Sequence, residues 1–138
     1  FSVHHWSDMA AGLAEAARVL RPGGLGVFID AASPGGGGLD SFLQAIEILR
    51  DPSHGRDYTE AEWRAALGAA GFVITDLRWR KLPLDFASWT ARIGTPPLHA
   101  EAILSLQRGA PAPVRAHYAL APDGSFVLDT IAIEARRG

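Results

Sequence analysis

Two adjacent histidines and an aspartate, His4, His5 and Asp8, stand within the first eight residues of the chain. Imidazole changes its protonation near neutrality, so a histidine that faces a cleft is a ready proton acceptor. The same trio could ligate a metal by residue type alone; no metal is expected here. Asp30 ends a short apolar run, a place from which it either lines a pocket or caps the loop by bonding nearby backbone. His54, Arg56 and Tyr58 crowd into one loop, where three hydrogen-bonding side chains either hold a substrate or tie the loop to the domain body. The histidine pair has its plain alternative too: one of the two as a packed, hydrogen-bonded residue, with Trp6 in the core.

Glycine is the other residue type here that carries chemistry. The stretch "DAASPGGGGLD" joins a strand pattern to a helix pattern, the setting of a phosphate-binding turn. Gly35 to Gly38 come four or more residues after the strand pattern ends, however, and Asp40 takes the position of the third glycine. A surface loop is the better reading. Gly23, Gly24 and Gly26 precede their strand and read as turn residues.

The elements that position these groups follow from periodicity. Ser7 is placed to cap a helix over residues 8–20, with Met9, Leu13, Ala16 and Leu20 at helical spacing. Pro22, Gly23 and Gly24 end it. Leu25, Val27, Phe28 and Ile29 make a continuous apolar run of the kind covered on both faces in a parallel sheet. "FSVHHW" before it reads as the end of another strand. A second helix is expected over 39–50 and a third from the Thr59–Glu62 capping box to Gly71. Phe72 to Leu82 follows as a strand with Val73, Thr75, Leu77 and Trp79 on one face. The order is an α/β alternation. After Leu84 the pattern becomes helical until a turn at "APDGS" and a last alternating strand over 126–135, expected to pair antiparallel with the strand from Phe72.

Composition narrows the class. The chain has 138 residues, 48% hydrophobic and 20% charged, with a formal charge of −2. That is one domain's worth of an ordinary globular sequence. No basic stripe argues for nucleic acid and no apolar run is long enough to span a bilayer, so neither partner is expected. Cysteine is absent, which removes disulfides, thiolate catalysis and zinc–thiolate sites, and fits a reducing, cytoplasmic setting.

Taken together, "HHWSDMAAGLAEAARVLRPGGLGVFID" and "RDPSHGRDYTEAEWRAALGAAGF" resemble class I S-adenosylmethionine-dependent methyltransferases, most closely the ubiquinone/menaquinone-biosynthesis group. The resemblance rests on His4, His5 and Asp8, on the Arg18–Gly24 helix ending, on Asp30, and on the Asp-Pro-Ser-His stretch before the capped helix. It implies the C-terminal part of a Rossmann-like sheet with a helical insertion before the last strand. The expected division is 1–83 for sheet and helices, 84–118 for a helical substrate cap and 119–138 for the terminal strand. It also implies methyl transfer from S-adenosylmethionine to a small-molecule substrate, with Phe1 and Ser2 near the cofactor's methionine part and His4 or His5 as base. Asp30, His54, Arg56 and Tyr58 are then substrate-side candidates. Trp89 and Arg92 are lid candidates, Trp89 equally an anchor of the insertion on the sheet.

The family's glycine-rich loop and ribose-binding acid do not occur in this chain. It is therefore expected to be the C-terminal half of a longer enzyme, inactive alone. The rival reading is a non-enzymatic interaction module, a homodimer joined through an exposed sheet edge at 25–30 or 1–4.

Overall fold

The computed structural model describes all 138 residues. Helix α1 (Met9–Val19) leads to strand β1 (Leu25–Ala31), helices α2 (Gly37–Arg50) and α3 (Glu60–Ala69), and strand β2 (Phe72–Leu84). Three helices, α4 (Phe86–Ala91), α5 (Pro97–Arg108) and α6 (Ala112–His117), precede the last strand, β3 (Phe126–Arg137). The sheet has the order β1-β3-β2, and β3 runs antiparallel to both neighbours. It is a mixed α/β fold with a helical insertion ahead of a central final strand. No helix is long and apolar enough to cross a membrane.

The last strand occupies the centre because it alone has apolar residues to bury along its whole length. Phe126, Leu128, Ile131, Ile133 and Ala135 are all at or below 5% exposure. Two cores share it. Ile131 and Ile133 pack with Leu13 of α1, Trp63 and Leu67 of α3, and Phe72 of β2. Phe126 and Leu128 pack with Leu43 and Ile46 of α2 and with Trp89, Ile103 and Tyr118 of the insertion. Each large side chain buried in this way contributes about 1.5–3 kcal/mol, so the insertion is a full layer of the domain and not an appendage.

Several local expectations are corrected. Residues Val3–His5 form a 3-10 turn instead of a strand end. The backbone nitrogens of Ser2, Val3 and His4 all bend toward the Asp30 carboxylate, at 3.2, 2.7 and 3.2 Å. An extended strand cannot aim three successive N–H groups at one point. The cap of α1 is Asp8, whose side chain accepts from Ala11 N, and not Ser7. Strand β1 is not covered on both faces: it lies at the sheet edge, with Leu25, Val27 and Ile29 exposed by 44%, 56% and 48%. In β2 a register shift between Ile74 and Asp76 breaks the strict alternation, so Leu77 packs on the core while Val73, Thr75 and Trp79 stay exposed. The Thr59–Glu62 capping box is present with both of its bonds. Gly71, at φ +84, turns the chain from α3 into β2.

Candidate functional site

At the carboxyl ends of β1 and β2 the two cores part to leave a cleft of about 310 Å³. Ligands of open α/β sheets lie at this edge. One wall is apolar: Leu82 and Leu84 from β2, Leu128 from β3, and Trp89 and Ile93 from the insertion. The opposite wall is charged, with His4 and His5 from the 3-10 turn and Glu47, Arg50 and Asp51 from the end of α2. Phe1 and Arg92 complete the rim.

His4 is the most highly organised group in the cleft. Its Nδ1 donates a hydrogen bond to Asp30 Oδ1, and the aspartate is only 1% exposed. Asp30 Oδ2 accepts the three N–H bonds of the 3-10 turn, and Oδ1 also accepts from Ala31 N at 2.9 Å. Burial would raise the Asp30 pKa, but the bond and charge of His4 outweigh it and hold the group below the usual carboxylate range. With Nδ1 committed, His4 Nε2 is the nitrogen without a protein partner. The His4 carbonyl is fixed from behind by Gly55 N at 2.7 Å and Arg56 N at 3.2 Å. The imidazole is thus locked in ring orientation and tautomer by one buried carboxylate, the arrangement that makes a histidine an effective base.

His5 is placed differently. Its Nδ1 shares a 3.1 Å bond with Ser53 Oγ, and its Nε2 lies 3.9 Å from Asp51. It ties the turn to the loop after α2.

Glu47 and Arg50 are the residues that sequence reasoning missed. The Glu47 side chain is 6% exposed, and burial pushes its carboxyl up to about 7 against the opposing pull of Arg50. The Arg50 side chain is 10% exposed, stacks its guanidinium 4.9 Å from the Trp89 ring centre, and donates from Nε to Trp89 O at 3.1 Å. Both sit one helical turn apart in α2, on the side of the helix that carries Leu43 and Ile46. The only signal in the sequence was a glutamate interrupting that apolar side.

The remaining candidates divide. Phe1, His4, His5, Trp89 and Arg92 do come together at the cleft. Trp89, 3% exposed, also anchors the insertion on Phe126. Asp30 does not line the cleft and reaches it only through His4, because its oxygens are taken by the backbone. Ser2 likewise meets Asp30 through its backbone nitrogen. His54, Arg56 and Tyr58 lie off the cleft. His54 Nε2 donates to Gln44 Oε1 at 2.8 Å, and burial with the nearby imidazoles of His4 and His5 lowers its pKa to about 4, so it stays neutral. Arg56 pairs with Glu62 at 2.9 Å and Asp40 at 3.5 Å, while Tyr58 packs edge-on to Trp63. This loop supports the site through the Gly55 and Arg56 backbone instead of through its side chains.

No cluster of three or more histidine or acidic side chains is placed to hold a metal ion; Asp8 is spent on capping α1. The glycines at 35–38 stand in open surroundings: a Cβ at Gly36 or Gly37 would meet nothing within 4 Å.

No family model matches the chain. Among curated proteins it is 42% identical over 137 residues to the uncharacterized protein YafE of Escherichia coli K12, covering 99% of this chain and 66% of that protein. It is 36% identical over 96 residues to YcgJ of Bacillus subtilis, an uncharacterized methyltransferase, covering 70% of this chain and 38% of that one. The crystal structure of YcgJ superposes with a TM-score of 0.92 at 32% identity, over 99% of this chain and 61% of that chain. BH2331 of Bacillus halodurans superposes with a TM-score of 0.93 at 26% identity and the same coverage. The chain therefore spans about 60% of the length of its solved relatives.

Proposed function

The chain belongs to the class I methyltransferases, matching the C-terminal part of its relatives, and we propose that it forms the acceptor-side part of an enzyme that methylates a small molecule bound beside His4. The observation that carries this reading is the His4–Asp30 pair, a histidine with one nitrogen fixed on a buried carboxylate and the other left unpartnered at a cleft. S-adenosylmethionine is the proposed methyl donor. When bound, it supplies an electrophilic methyl group on a sulfonium sulfur, which departs as a neutral thioether.

The chain's residues fit the reacting end of this chemistry and hold no cradle for the nucleoside end. Phe1 and Ser2, beside the cleft mouth, are where the donor's methionine part is proposed to lie. His4 Nε2 takes the proton from the acceptor's hydroxyl or acidic carbon as that atom bonds to the methyl carbon, and the carbon–sulfur bond pair leaves with sulfur. Asp30 stabilises the imidazolium so formed and keeps the ring in place. The wall of Leu82, Leu84, Ile93 and Leu128 excludes water from the acceptor and aligns it, which supplies most of the advantage in a simple displacement. The test is transfer of radiolabel from the methyl group of S-adenosylmethionine to an organic-extractable acceptor pool by the intact gene product. Label transfer that His4→Gln abolishes is expected. Transfer undiminished in that variant would remove His4 from the mechanism, and donor binding without any transfer would overturn the enzymatic reading.

A second reading rests on the free edge of β1. Its exposed Leu25, Val27 and Ile29 are suited to pair with the same strand of another copy. Sedimentation of the 138-residue chain and its Val27→Lys variant tests this. A dimer that the lysine dissociates supports it, and a monomer at tens of micromolar excludes it.

A further inference from the structure

Arg50 is a largely sheltered cation whose terminal amino groups open on the cleft. Its Nε is satisfied by Trp89 O, yet its two terminal amino groups have no hydrogen-bond acceptor, and the nearest carboxylate oxygen, Glu47 Oε2, lies 4.0 Å from Nη1. A guanidinium sheltered along its stem, with its N–H groups facing a cleft, is placed to donate to an anion there. Here the unmet groups belong to a side chain that lines the cleft. Arg92, on the rim of the same cleft, has no acidic partner at all, and it is close enough for its charge to act on Arg50. Two guanidinium-bearing side chains thus line one cavity together with the apolar Leu84 and Ile93.

We propose that the acceptor is an organic anion, with its carboxylate bound by Arg50 and Arg92 and its apolar body against Leu84 and Ile93. Arginine's planar fork matches a carboxylate in two parallel bonds. Stacking on Trp89 holds the Arg50 fork in one plane before the ligand arrives, which lowers the ordering cost of binding. This reading rests on the cleft being the acceptor site of the proposed function, and it adds the acceptor's charge and polarity.

The charged groups around Arg50 set how binding should respond to pH. From α2 itself they are Glu47 and Asp51, from the 3-10 turn His4 and His5, from the insertion Arg92, and behind the turn Asp30. Among the carboxylates, Asp30 and Asp51 stay ionised, being held below their usual range by His4 and Ser53. Glu47 is the one whose proton comes and goes near neutrality, with a value of about 7. A protonated Glu47 removes the charge that competes with the ligand for Arg50, so an anion binds more tightly on the acid side of neutrality.

The test uses phenylacetate and its uncharged counterpart phenylacetamide, titrated into the full chain by ligand-observed NMR at pH 6 and pH 8. Phenylacetate is expected to bind at least tenfold more tightly than the amide at pH 6, and Arg92→Gln to remove most of that preference. Arg50→Gln should do the same where it folds; the exposed Arg92 keeps the test decisive if it does not. Equal binding of acid and amide would overturn the proposal, as would a preference that survives Arg92→Gln. Competition between phenylacetate and S-adenosylmethionine would also overturn it, by giving the carboxylate site to the methyl donor's amino-acid end. None of these readings needs turnover. Anion binding without methyl transfer would thus refute the enzymatic reading alone, and methylation of uncharged acceptors only would refute this one alone.

Discussion

Asp30 Oδ2 accepts the backbone N–H of Val3 at 2.7 Å while Oδ1 of the same carboxylate holds His4 Nδ1. One buried side chain thus builds the turn and aims the imidazole that the turn presents. Structure and chemistry share this residue, so its removal should damage both.

Asp30→Ala strands the three N–H groups of the turn and the His4 imidazole in a buried setting. Losing one partner of a buried pair costs about 3–5 kcal/mol. Urea denaturation should show a loss of this size, and a loss under about 1 kcal/mol would contradict the clamp. Because the folded-state pKa of Asp30 is depressed, its contribution is present above the ordinary carboxylate range and is lost as pH falls through the lowered value.

His4→Gln keeps a side chain that can reach Asp30 but cannot take a proton. In the intact gene product kcat should fall by roughly 10²–10⁴-fold, the usual worth of a positioned base, with little change in donor affinity by calorimetry. Loss of donor binding in parallel with rate would instead mark His4 as a binding residue.

Glu47 sets a pH dependence of the opposite sign to Asp30. Its pKa rises from 4.5 to about 7 on folding. Between these values the folded chain binds more protons than the unfolded one, so this group's contribution to stability falls as pH rises. Glu47→Gln cannot titrate. Its stability relative to the parent should increase by roughly 1–3 kcal/mol between pH 5 and pH 8, measured by urea melts at both pH values. A flat difference would show that the carboxyl is not protonated in the fold.

Gly124 turns the chain into β3 at φ +92, and a Cβ there would stand 2.5 Å from Leu104 and 2.8 Å from Phe86. Its carbonyl accepts from buried Gln107 at 2.9 Å, so the turn cannot drift away from α5. Gly124→Ala adds left-handed strain to overpacking and should cost at least about 1–3 kcal/mol, seen as a lower thermal midpoint. An unchanged midpoint would mean that the turn relaxes freely.

The sequence by itself determined much of what depends on near neighbours along the chain, the α1 cap being an exception at Asp8 in place of Ser7. The Thr59–Glu62 box, the glycines that end α1 and α3, and the α/β order all rest on interactions within one or two turns, and they are present. The family resemblance was legible for the same reason, being carried by punctuated local motifs such as Arg18–Gly24. Tertiary structure decided what depends on distant segments. Which strand takes the centre follows from β3 having enough apolar residues to bury along its whole length, and β1 lies beside it with Leu25, Val27 and Ile29 exposed instead of covered on both faces. Which histidine has its ring fixed at the cleft was decided by a carboxylate 26 residues away that bonds His4, while His5 was drawn to the loop after α2. Glu47 and Arg50 had no expected role, and it is Trp89 of α4, packed on the Arg50 guanidinium, that makes them part of a cleft. Charges acquire unusual properties when water is removed from around them, and the segment that removes the water lies 39 residues further on.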